Sequence, residues 1–144
     1  VDSAVKNAIA GGVTFAIAAG NSNADACRYS PARVPEALTV GATTSSDARA
    51  SYSNYGKCLD LWAPGSSITS AWIGGDAATN TISGTSMATP HVAAVAALFL
   101  QGAPGSAPAQ VAGALVKGAT LDVVTGLGGK KYSSTPKGLL YTAY

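Results

Sequence analysis

The stretch VDSAVKNAIAGGVTFAIAAGN, residues 1–21, changes its hydrophobic period halfway along. Val1, Ala4, Val5, Ala8 and Ile9 recur at the i, i+3, i+4 spacing of one helix face, and Gly11 and Gly12 then stop the pattern. VTFAIAAGN is instead a continuous run of mostly small apolar residues, the composition of a strand covered on both faces in a parallel sheet. Helix, glycine pair and buried strand make half of a βαβ unit, so the chain reads as α/β.

Two further stretches, EALTVGAT (36–43) and LDLWAPG (59–65), have the same buried-strand composition, the second stopping at a Pro-Gly turn. SITSAWI (67–73) and NTISG (80–84) read as short strands or a hairpin around Gly74, Gly75 and Asp76. From Thr85 the pattern becomes Met87, Ala88, Val92, Val95, Ala96 and Phe99, a helix apolar nearly all round and therefore expected to be central and buried. It should end between Gly102 and Gly105. Pro108 then opens a second helix carrying Val111, Ala114 and Leu115. Residues 120–136 are glycine-rich and read as surface loop, and GLLYTAY (138–144) as a closing strand or turn.

The 144 residues are 47% hydrophobic and 11% charged, which excludes a disordered chain and predicts one globular domain. The positive mean hydropathy fits a piece whose apolar surface is partly meant for another segment. The net charge is +2 with the basic residues scattered, so the chain offers no nucleic-acid footprint. Its longest apolar run, Val92 to Leu100, is about half a membrane span, and no membrane partner is expected. No signal-peptide pattern is visible from Val1. Cys27 and Cys58 sit in polar, turn-rich surroundings and read either as two buried thiols or as a disulfide.

Chemistry concentrates in ISGTSMATPHV (82–92), which holds Ser86 and the one histidine of the chain, His91. Five helical residues advance about 7.5 Å and turn the side chains roughly 140° apart, so His91 is not placed to activate Ser86. Ser86 stands where an extended segment enters a helix, and there the free N–H groups and the positive dipole end favour negative charge on whatever a serine attacks. Capping is the ordinary use of Ser or Thr at such a place. Asn21 follows a buried strand and a glycine, at the carboxyl end of a parallel strand where open α/β sheets gather ligand contacts. Its side-chain N–H could donate to an oxyanion, although an asparagine in a Gly-Asn-Ser-Asn loop is also ordinary turn chemistry.

AAGN (18–21) with GTSMATPH (84–91) resembles the subtilisin-like serine proteases. YSPARVPEALTVGATTSSDARASYSNYG and LDLWAPG bring the resemblance to the proteinase K branch and its aqualysin-like bacterial members, over most of the chain up to about Thr120. The resemblance implies a serine endopeptidase working through an acyl-enzyme. Ser86 would be its nucleophile, Asn21 and the Ser86 backbone N–H its oxyanion donors, and Ala18, Ala19 and Gly20 one wall of a pocket for a large apolar substrate side chain. It implies a structural calcium ion on the Pro35 and Ala37 carbonyls and the Asp60 carboxylate, oxygen ligation suited to a hard cation. It also implies a Cys27–Cys58 disulfide, and with it an exported, extracellular protein.

One departure decides the expected function. The family carries its triad aspartate and histidine in amino-terminal D-T/S-G and H-G-T-H-V-A motifs, and neither motif is present. His91 matches the family's structural histidine instead. Residues 1–144 are therefore expected to be the carboxy-terminal part of a single peptidase domain, entered inside a helix and inactive without the amino-terminal half, which becomes its partner alongside the peptide or protein substrate. The competing reading is a non-catalytic module that binds calcium for structure alone.

Overall fold

The computed structural model describes residues 1–142; Ala143 and Tyr144, the end of the expected closing strand or turn, lie outside the described residues. Helix α1 (Asp2–Ala10) leads through the two glycines into β1 (Ala16–Ala18), and β2 (Leu38–Thr43) and β3 (Leu61–Pro64) complete a parallel sheet in the order β1-β2-β3. Ala16 pairs with Leu38 and Val40 with Leu61. All six residues of β2 are buried, as expected of a central parallel strand.

Alternation along the strands sends side chains to two cores, one on each face of the sheet. Leu38, Val40, Leu61 and Ala63 pack against Val92 of α2 (Thr85–Gly102) and Val111 of α3 (Pro108–Gly118). Ile17, Leu59 and Trp62 pack on the other face with Val5 of α1 and Val34. Gly41 is required within β2, because a Cβ there would lie 2.5 Å from the Trp62 ring. The indole N–H donates to Pro136 O at 2.8 Å, which ties the late loop to the sheet.

In chain order between β3 and α2 comes an antiparallel hairpin, β4 (Ile68–Ala71) and β5 (Thr79–Ile82), turned at Gly74 and Gly75 with positive φ. Residues 120–136 are loop apart from one short turn at Lys130–Tyr132, and Leu139 bridges Trp62 and Thr120. Cys27 and Cys58 form a disulfide with Cα atoms 5.3 Å apart. Its closed loop stabilises the fold by about 3–4 kcal/mol on a chain-entropy account.

One expectation needs correcting. Helix α2 is not buried all round: Ala88, Val92, Val95 and Ala96 are covered by the sheet and α3, whereas Ala93, Ala94, Ala97 and Leu98 are exposed. The composition set an apolar surface on both sides, but the described residues supply a cover for only one.

Candidate active site

The ends of β1 and β3 and the start of α2 meet at one place. Gly65, just past β3, accepts the Gly84 N–H at 2.8 Å, and a Cβ on Gly65 would lie 2.6 Å from the Ala42 methyl and 2.8 Å from Gly84 O. Only glycine lets the strand end approach so closely. This contact fixes the turn from which α2 departs, with Thr85 fully buried as its first residue and Ser86 exposed as its second.

Asn21 lies directly after β1 and Gly20. Its Oδ1 accepts both the Thr85 N–H at 2.9 Å and the Thr85 hydroxyl at 2.8 Å. A backbone N–H can only donate, so the amide oxygen must face Thr85 and Nδ2 must face the other way. Nδ2 comes within 3.4 Å of the position a Cβ on Gly84 would take, and it has no acceptor among the described residues. The same Thr85 hydroxyl accepts from Gly20 N–H at 3.1 Å, so one buried side chain connects both segments. The result is an exposed hydroxyl at a helix start, beside an oriented and unspent amide donor.

Ala18 and Gly20 are partly exposed along this edge, whereas Ala19 is completely buried in the core with Val34 and Trp62. The segment therefore presents its backbone and Ala18, not the Ala19 methyl. A groove of about 450 Å³ opens on the other side of the helix start, between the β4–β5 hairpin and Met87, Pro90 and His91.

Nothing among the described residues activates the Ser86 hydroxyl by hydrogen bonding. His91 Nδ1 lies 2.8 Å from Met87 O on its own helix, as the helical spacing argues. Asp25 accepts from Cys27 N–H, Asp2 is paired with Arg33 and Ser30, and Asp122 with Lys137. None of these carboxylates contacts Ser86 or His91.

Asp60 stands apart from this edge, at the start of β3. Its Oδ2 accepts the Thr39 N–H at 2.7 Å, no cationic side chain among the described residues pairs with it, and partial burial raises its pKa to about 6. The Pro35 and Ala37 carbonyls, in the approach to β2, accept no hydrogen bond among the described residues. A half-buried, uncompensated carboxylate with spare carbonyls on the neighbouring segment fits a hard cation.

The parts that Thr85, Gly65 and Asn54 play here do not show in the sequence. Asn54 is buried and bonded to the Asn21 loop. Its setting in SNYG and the place of Thr85 beside Ser86 were visible, but their contacts span 30 to 65 positions and leave no periodic trace.

A model of the subtilase family matches residues 1–138. The chain belongs to the subtilase family. Among curated proteins this subtilase is 63% identical, over its full 144 residues, to the extracellular serine proteinase of Thermus sp. (strain Rt41A), and spans 34% of that relative's length. It is 59% identical over 125 residues to the alkaline serine exoprotease A of Vibrio alginolyticus, covering 87% of this chain and 23% of the other. Among solved structures, a cold adapted subtilisin-like serine proteinase superposes with a TM-score of 0.91 at 56% identity, over 99% of this chain and 50% of that one. The chain thus spans about a third or less of the curated relatives and half of the structural one.

Proposed function

We propose that residues 1–144 are the nucleophile-bearing part of a secreted serine endopeptidase domain. Ser86 attacks the scissile carbonyl and becomes acylated, and water later releases the acyl group. Asn21 Nδ2 and the Ser86 N–H hold the developing oxyanion. The observation that carries this reading is the double contact of Thr85 on Asn21 Oδ1, which leaves Nδ2 as the free end of the amide at the Ser86 turn. Ala18 and Gly20, with the Ala19 backbone, form one wall of a pocket for a large apolar or aromatic side chain of the peptide substrate.

The proton acceptor and its orienting carboxylate come from an amino-terminal half of the same domain. His91 is spent on Met87 O, so the 144 residues alone have no more than trace activity. Pro35, Ala37 and Asp60 would hold a structural calcium ion, which would neutralise the half-buried carboxylate and take no part in the chemistry. Export is supported by the disulfide and by the extracellular name of the Thermus relative.

The test is turnover of an aromatic-P1 peptide anilide by a complete domain, with a subtilase amino-terminal half fused upstream of Val1. Ser86→Ala should leave only the residual rate of binding and oxyanion stabilisation. Asn21→Ala should lower kcat by about 10²–10³-fold, a magnitude carried over from subtilisin, a member of the same family. Unchanged kcat in Asn21→Ala would remove that residue from the oxyanion site.

A further inference from the structure

Asn21 projects from a loop that would be free to move if nothing held it, since Asn21, Ser22 and Asn23 are all exposed. Thr85 holds Gly20 and the Asn21 side chain, and the Asn23 N–H donates to Tyr52 O at 2.8 Å, but most of the bonds to the backbone around Asn21 come from a second asparagine. Asn54 is completely buried, and its side-chain Oδ1 accepts the N–H groups of Ser22 and Ala24, both at 3.0 Å. Its Nδ2 donates to Ala19 O at 2.7 Å, and its backbone N–H donates to Gly20 O at 2.9 Å. Four hydrogen bonds from one residue therefore grip the chain on both sides of Asn21 without touching it. Gly20, at φ +102°, is shaped to this contact, because a Cβ there would lie 2.4 Å from Asn54 Nδ2.

We infer that Asn54 is the positioning residue of the oxyanion loop, fixing Asn21 through Ser22 and Ala24 and the pocket wall through Ala19. This rests on the reading of Ser86 and Asn21 given above. Every hydrogen-bonding atom of the Asn54 side chain is committed to the loop. A buried amide so used has no alternative partner, and its loss frees three backbone groups at once. The two ends of the amide serve different parts of the site: the oxygen orders the segment beyond Asn21, the nitrogen the segment before it.

A double-mutant cycle in the complete domain tests the assignment, with rates expressed per active site by titration with a fluorophosphonate. Asn54→Ser should lower kcat by about 30-fold where Asn21 is present, and by less than about threefold in an Asn21→Gly background, since residues linked through one hydrogen-bond network couple. Equal losses in both backgrounds, or unchanged kcat per active site, would overturn the assignment. Hydrogen exchange in the unaltered domain gives a reading that needs neither a folded variant nor activity. Ser22 and Ala24 amides should be protected like those of β2, and exchange at the rate of an open loop would show that Asn54 does not hold them. An unaltered domain inactive despite protected amides would count against the reading of Ser86, not against the grip of Asn54.

Discussion

Ser86 and Asn21 are proposed from the sequence because they sit in the short runs GTSMATPH and AAGN, which carry the resemblance. Thr85 and Asn54 do as much to shape the site, yet their partners lie tens of residues away and are chosen by the packing of three chain segments. Asp60 lies between these cases: the resemblance pointed to it, and the structure adds why a cation suits it. Burial raises its pKa from 3.8 to about 6, so the folded state favours the neutral acid more than the unfolded state does. The sign follows from linkage: in a chelator, this favourable contribution is full below about pH 3.8 and is lost as the pH rises through about 6. Thermal melting of the metal-free complete domain should therefore show Asp60→Asn gaining a few degrees on the unaltered protein between pH 4 and pH 7. Adding calcium at pH 7 should reverse the order. A melting difference independent of pH would mean that the carboxylate bears no burial cost.

At the scale of elements, the parallel strands, the hairpin and both long helices followed from hydrophobic period and turn residues. The covering of α2 did not, because composition reports how much of a helix is apolar and not which neighbour meets it. The approach of β3 to α2 was equally hidden, since Gly65 looks like any turn glycine until Ala42 and Gly84 are seen against it. Gly65→Ala should cost roughly 1–3 kcal/mol by forcing strand and helix apart, and should reduce fluorophosphonate labelling of Ser86 in the complete domain because the turn moves with Gly84. Gly113→Ala provides the contrast. That glycine lies inside α3 with open space around it, so the change should stabilise by about 0.5–1 kcal/mol and leave labelling intact. Both follow from melting temperature and a labelling gel; a neutral Gly65→Ala would mean the close approach is not a constraint.

At the scale of the molecule, Ala93, Ala94, Ala97 and Leu98 stay exposed along the turns of α2 that follow Ser86, a groove opens beside Met87, and no base for Ser86 stands among the described residues. The 50% coverage of a solved subtilisin-like chain fits the same account, in which a second half covers the helix and brings the base. The decisive measurement is the reactivity of Ser86 toward a fluorophosphonate, read on the 144-residue chain alone and on the chain joined to a subtilase amino-terminal half. Labelling should be scant on the chain alone and strong once joined, and should persist in a folded His91→Ala form but disappear when the upstream histidine is replaced. Strong labelling of the chain alone, or a joined form that loses labelling with His91→Ala and ignores the upstream histidine, would contradict this reading.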